Sequence, residues 1–135
     1  MSKEIVVGNY NTSFNSILGC NYPDYEIYRS KGLIAHLLKR HHESALKFID
    51  DVPDIINNPD FIGINPNDFS LEYVKQLKKN VHIGIKVDTT NNRMYVATMY
   101  IITDAVISRY LNTGRLKKVI DENNNSLYNN STEKE

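Results

Sequence analysis

The 135-residue chain has no tryptophan, one cysteine and six scattered glycines, and each scarcity closes off a class of protein. A single thiol, Cys20, cannot build an internal disulfide framework and fits a reducing compartment. Long apolar runs are missing too. Near the start only Ile5, Val6 and Val7 follow one another, far too few for a secretory core or a membrane span. The expectation is a soluble, cytoplasmic protein with no membrane partner. No G-x-x-x-x-G-K-[ST] occurs, which removes phosphate-loop nucleotide binding. What remains is enough chain for one domain, hiding roughly two-thirds of its unfolded surface without disulfide or metal.

Charge of either sign is not in excess, with 16 basic and 16 acidic side chains. The average conceals blocks. Residues 29–49 carry Arg29, Lys31, Lys39, Arg40 and Lys47 against Glu43, a net +4. Residues 50–72 carry six acids and no base, a net −6, and residues 73–118 reach +7. Two basic segments brought together by folding would form a cationic face able to hold phosphates. The plainer alternative is ordinary solvated charge.

Patterning supplies the elements. Ile5 to Val7 suggests an edge strand or loosely held arm, and Tyr25 to Ile27 a short strand. Ser30 is placed to cap a helix. At about 100° per residue, Leu33, Ile34, Leu37, Leu38 and Ala45 share one apolar stripe, with His41 in its middle. Asp51-Val52-Pro53 starts a second, short helix, because Asn58 precedes Pro59. Phe61 to Ile64 is a strand candidate. Three further strands follow over 71–77, 81–88 and 93–103, with turns at Lys79-Asn80 and over 88–92, and they form an antiparallel meander. Thr103 or Asp104 caps a last helix that ends at Gly114. Beyond Ile120 little can be buried, which predicts a disordered tail. The expected fold is α+β, N-terminal helices packed on a small antiparallel sheet.

Candidate chemistry narrows quickly. His36, His41 and His42 do not have the three- or four-residue spacing of a helical metal site, and no tight acidic cluster exists, so neither metal nor cofactor is expected. Cys20 has no base near it in sequence. His41, aimed from the apolar stripe toward the sheet, is either a hydrogen-bonded core histidine or a general acid or base. A symmetric turn pairs Asp88 with Arg93 and sets Thr98 opposite Ile83 and Tyr100 opposite Val81. Thr98 and Tyr100 then share a face, Lys86 lies on the other, and two hydroxyls are offered to one phosphate or imidazole. Ordinary strand propensity is the competing explanation.

Four segments in order, His36-Leu37-Leu38-Lys39-Arg40-His41, Val52 to Pro59, Tyr95-Val96-Ala97-Thr98-Met99-Tyr100 and Gly114-Arg115-Leu116-Lys117, resemble the phage-associated nuclease domains of the barnase, EndoU, colicin and RelE superfamily. The likeness spans 27–118, leaving 1–26 as an arm or edge strand and 119–135 as a polar tail. It implies metal-independent RNA cleavage through the ribose 2′-hydroxyl, leaving a 2′,3′-cyclic phosphate and a 5′-hydroxyl. His41 stands at the family's K-R-H histidine, Thr98 at its hydroxyl, and Tyr100 and Arg115 match as well. His42 replaces a small residue or proline. On this reading His41, Thr98 and Tyr100 are catalytic, and Arg40, Lys86 and Arg115 hold RNA. No glutamate is placed as a partner base. The protein would be a phage or mobile-element effector or toxin, with an antidote or host protein as further partner. The alternative is a catalytically decayed binding module of the same fold, acting on a host or defence protein.

Overall fold

A computed structural model describes residues 4–119. In chain order it contains β1 (Glu4–Asn9), α1 (Phe14–Leu18), β2 (Glu26–Ser30), α2 (Leu33–Lys39), a run of 3₁₀ turns (Glu43–Asp51), α3 (Val52–Asn57), β3 (Phe61–Ile64), β4 (Leu71–Gln76), β5 (Asn80–Asp88), β6 (Arg93–Ile102), α4 (Asp104–Thr113) and β7 (Leu116–Lys118). All seven strands join one sheet in the order β1-β2-β6-β5-β4-β3-β7. The fold is α+β, and β4, β5 and β6 form the expected meander. The sheet itself is larger than expected and mixed, because β2 runs parallel to β6. The helices are short pieces around a dominant sheet rather than a stack leading into it, and α4 follows the meander. The polar tail expected beyond Ile120 lies outside the described residues.

Local chemistry explains where the helices begin and stop. In α3, Pro53 occupies the first turn and the chain leaves the helix at Asn58, before Pro59. Helix α4 starts where Thr103 accepts a hydrogen bond from the Val106 N–H at 3.2 Å. It ends at Gly114, whose φ of 82° suits a residue without Cβ. Ser30 accepts from the Gly32 N–H at 2.9 Å, ahead of α2.

Helix α2 differs from the sequence reading. It stops at Lys39, and His41 takes the left-handed conformation with φ 61°. Leu33 and Leu37, one helical turn apart, are buried, whereas Ile34 and Leu38 are 41% and 49% exposed. The apolar stripe is thus narrower than its sequence, and Ala45 reaches the core from the separate 3₁₀ run. A chain turn ahead of Ala45 carries His41 out to solvent instead of down toward the sheet.

The two faces of the sheet are unlike. One packs Tyr73, Val81, Ile83, Ile85, Met94 and Met99 against α1, α2, α3 and the 3₁₀ run. The other is covered only at one end, where α4 closes over Phe61, Val74, Ile102 and Leu116. Register explains the division. Asp88 pairs with Arg93 and Ile85 with Val96 as a symmetric turn requires, but Gly84 pairs with Thr98 and His82 with Tyr100. Ala97 is therefore an extra residue, a β-bulge in β6. Met94 and Val96 before it, and Met99 and Ile101 after it, all meet the same core. The bulge corrects two expectations: Thr98 and Tyr100 lie opposite Gly84 and His82 rather than Ile83 and Val81, and Lys86 alternates onto their own face.

Candidate active site

At the centre of the less covered face is a carboxylate that the sequence reading overlooked. Glu72 sits on β4 between two glycine neighbours, Gly63 on β3 and Gly84 on β5. Neither neighbour has a side chain to crowd it. A Cβ at Gly63 would fall 1.8 Å from the Arg115 carbonyl oxygen, and one at Gly84 would sit 3.0 Å from Thr98 Cγ2. Glu72 is 1% exposed, so its charge must be answered from within.

Two partners answer it. Gly114 turns the chain so that Arg115, just before β7, reaches back over the sheet. Its Nε donates to Glu72 Oε1 at 2.8 Å and its Nη2 to Oε2 at 2.7 Å, a two-pronged contact. His82, diagonal to Glu72 on β5, places Nε2 3.0 Å from Oε2. Burial works against ionisation of Glu72, yet the Arg115 and His82 hydrogen bonds outweigh it and hold the carboxyl below its usual range. An ionised carboxylate can only accept, so Nε2 carries the proton and donates. That leaves Nδ1 of His82 buried and, among the described residues, without a partner.

Aromatic rings extend the cluster. Tyr100 stacks on His82, with centroids 4.4 Å apart and planes at 24°. His42 comes up on Tyr100 at 5.3 Å and 33°. It can do so because β2 pairs with β6 only over Arg93–Tyr95, leaving the rest of that edge to α2 and the 3₁₀ run. Burial first, then the nearby Glu72 charge, raises the Tyr100 phenol above its ordinary value, so its hydroxyl stays protonated. Tyr110 of α4 lies under the Arg115 guanidinium, 4.1 Å from ring centroid to Cζ. Lys86 is exposed on the same face and lowers the Asp68 carboxyl, which is held mainly by hydrogen bonds from Ser70.

Of the residues expected at a site, Tyr100 and Arg115 meet around Glu72 and His82, Thr98 stands in the adjoining row opposite Gly84, and Lys86 lies farther along β5. His41 and Arg40 are exposed at the end of α2 and make no side-chain hydrogen bond within the described residues. The histidine that contacts the Tyr100 strand from the helical side is His42. Sequence reasoning passed over Glu72, His82 and Tyr110. Glu72 was counted into an acidic block, and His82 looked like one polar beat of a clean alternation. A carboxylate and an imidazole on neighbouring strands of a predicted hairpin, set between glycines, was the signal available. Among the described residues, no three His, Cys, Asp or Glu side chains are grouped to hold a metal ion. No helix there is long and apolar enough to cross a membrane.

No curated protein and no solved structure matches the chain. A family model does, described as phage-Barnase-EndoU-ColicinE5/D-RelE like nuclease3, over residues 4–109. That match takes in β1 and β2 as well as the meander, carries Glu72, His82 and Tyr100, and stops short of Arg115. With most of its length matched, the chain belongs to the PBECR3 family of phage barnase-, EndoU-, colicin E5/D- and RelE-like nucleases.

Proposed function

We propose that the protein cleaves RNA without a metal, by attack of a ribose 2′-hydroxyl on the adjacent phosphodiester. The observation that carries this reading is the state of His82: its Nε2 is held by ionised Glu72 while Nδ1 has no partner among the described residues. An imidazole fixed in that tautomer offers a lone pair to a proton, and RNA brings its own nucleophile. His82 takes the 2′-hydroxyl proton, and the 2′-oxygen forms a bond to phosphorus. His42, on the other side of the Tyr100 ring, gives a proton to the departing 5′-oxygen. The Tyr100 hydroxyl and the Arg115 guanidinium meet the charge that grows on the phosphorane, and Lys86 and Thr98 bind backbone beside it. Glu72 is a positioning residue. The products are a 2′,3′-cyclic phosphate and a free 5′-hydroxyl. In a phage or mobile element, such an activity would act on host RNA in the host cytoplasm and would call for an antidote protein.

A second reading has its own observation. Glu72 and His82 are 1% and 2% exposed, and the Tyr100 ring lies over the imidazole. Such closure favours a binding module that has lost turnover and docks on a host or defence protein. Incubation of the full chain with structured RNA in EDTA, followed by end-group analysis, separates the two. Cyclic phosphate ends that vanish when a deoxyribose replaces the scissile ribose support the nuclease. Cutting that survives that replacement, or that EDTA abolishes, defeats the mechanism. Absence of any turnover, with affinity for a protein partner retained in the His82→Gln variant, establishes the binding module.

A further inference from the structure

Beside Arg115 the surface opens into a groove of about 580 Å³, walled by Ile64 and Pro66 on one side and by Arg109, Tyr110 and Arg115 on the other. Among the described residues, no acidic side chain lines it. Arg115 commits Nε and Nη2 to Glu72, which leaves Nη1 unpartnered among the described residues. Arg109 is exposed and makes no hydrogen bond or ion pair there; its only partner is the Tyr110 ring, 5.5 Å from Cζ to centroid. Two guanidinium groups with unspent donors thus line one concavity together with Ile64 and Pro66. Guanidinium matches a phosphate with paired donors, and a flat base packs on proline, isoleucine or the guanidinium plane.

We propose that this groove is a subsite for the RNA nucleotide adjoining the scissile phosphodiester, with Arg109 and Nη1 of Arg115 on its phosphate and Ile64 and Pro66 against its base. The proposal rests on the nuclease reading, because Arg115 is shared between the groove and the Glu72–His82 pair. It adds a direction: the strand leaves the cluster along α4 and β7. Arg109 is the last residue of the family match, and Tyr110, Thr113, Gly114 and Arg115 lie beyond it, so most of this wall comes from the part of the chain past residue 109. Arg115 serves both as a lid on Glu72 and as a floor for the next nucleotide.

The test is fluorescence anisotropy with 2′-deoxy-blocked oligonucleotides of two, four and six residues, read across a salt series for the wild-type full chain and for Arg109→Ala and Arg109→Lys. Affinity is expected to rise between two and four residues, and Arg109→Ala to erase most of that rise, about tenfold. The slope of log affinity against log salt is expected to fall by about 0.7, one single-strand phosphate, in Arg109→Ala and to recover in Arg109→Lys. Arg109 is exposed on α4, so the variants retain the fold. Equal affinity for short and long ligands, an unchanged slope in Arg109→Ala, or displacement of the oligonucleotide by polyglutamate as readily as by unlabelled RNA would overturn the subsite. These readings use uncleavable ligands, so the subsite can fail while cleavage stands, and cleavage can fail while the subsite stands.

Discussion

The two faces of the central strands are built from alternating residues of the same segments, yet they answer to different rules. On the helical face Ile83, Ile85 and Met99 are fully buried among apolar neighbours, and hydrophobic burial settles their positions. Glu72 and His82, one residue away on the opposite face, are almost as deeply buried, but each needs a specific partner at a specific distance. Removal of one partner strands a buried charge, whereas trimming a methylene leaves only a small void. Depth of burial therefore does not distinguish scaffold from site. What distinguishes the two faces is the buried charge pairing of Glu72 with Arg115 and His82, which has no counterpart among the apolar neighbours of Ile83.

Several changes would break or sharpen this contrast. His82→Gln keeps a donor toward Glu72 where Nε2 stood and is expected to lower the rate of RNA cleavage by roughly 10²- to 10⁴-fold while circular dichroism stays native. A loss below tenfold would return His82 to a purely structural role. Its neighbour supplies the opposite pattern: Ile83→Ala should cost about 3 kcal/mol in urea unfolding and leave cleavage per folded molecule within twofold. A large activity loss there would mean that the two faces are not separable.

Glu72→Gln should cost about 2 kcal/mol near neutral pH, the difference between a charged and a neutral acceptor for Arg115 and His82. The folded carboxyl lies below the reference value of 4.5. The advantage of the native residue is therefore complete above that value and fades as pH falls through the folded pKa, which unfolding curves between pH 3 and pH 7 would display. A gap that widened on acidification would contradict the ionised assignment. The smallest effect belongs to His41→Gly. Relief of a left-handed, non-glycine residue is expected to raise stability by about 0.5 to 1 kcal/mol and to leave cleavage within twofold. Loss of cleavage would restore His41 to the site.

How much of this was legible varied with the range of the interaction. Pro53, Pro59, Thr103 and Gly114 act on their immediate neighbours, and the helix limits they set could be read from the sequence alone. Strands β4, β5 and β6 announced themselves by period and turn chemistry. The parallel contact of β2 with β6 was invisible, because it joins segments more than sixty residues apart with no turn between them to fix register. Tyr100 was singled out by strand pairing and Arg115 by family likeness. Glu72, the partner of Arg115 and His82, was not, since its place depends on a diagonal across one strand pair and on a chain reversal at Gly114. His41 lies away from the sheet for a definable reason: the helical periodicity carried across Arg40 runs into a stretch where the chain turns.

The bulge at Ala97 has a further consequence for how related chains are aligned. It advances the pleat by half a cycle, so β6 behaves as two short strands of opposite phase joined end to end. Met99 and Ile101 beyond it point to the helical-face core, and Thr98 and Tyr100 lie on the face of the imidazole. A superposition that slid past this step without a gap would set Met99 in the place of Tyr100 and erase the ring stacked on His82.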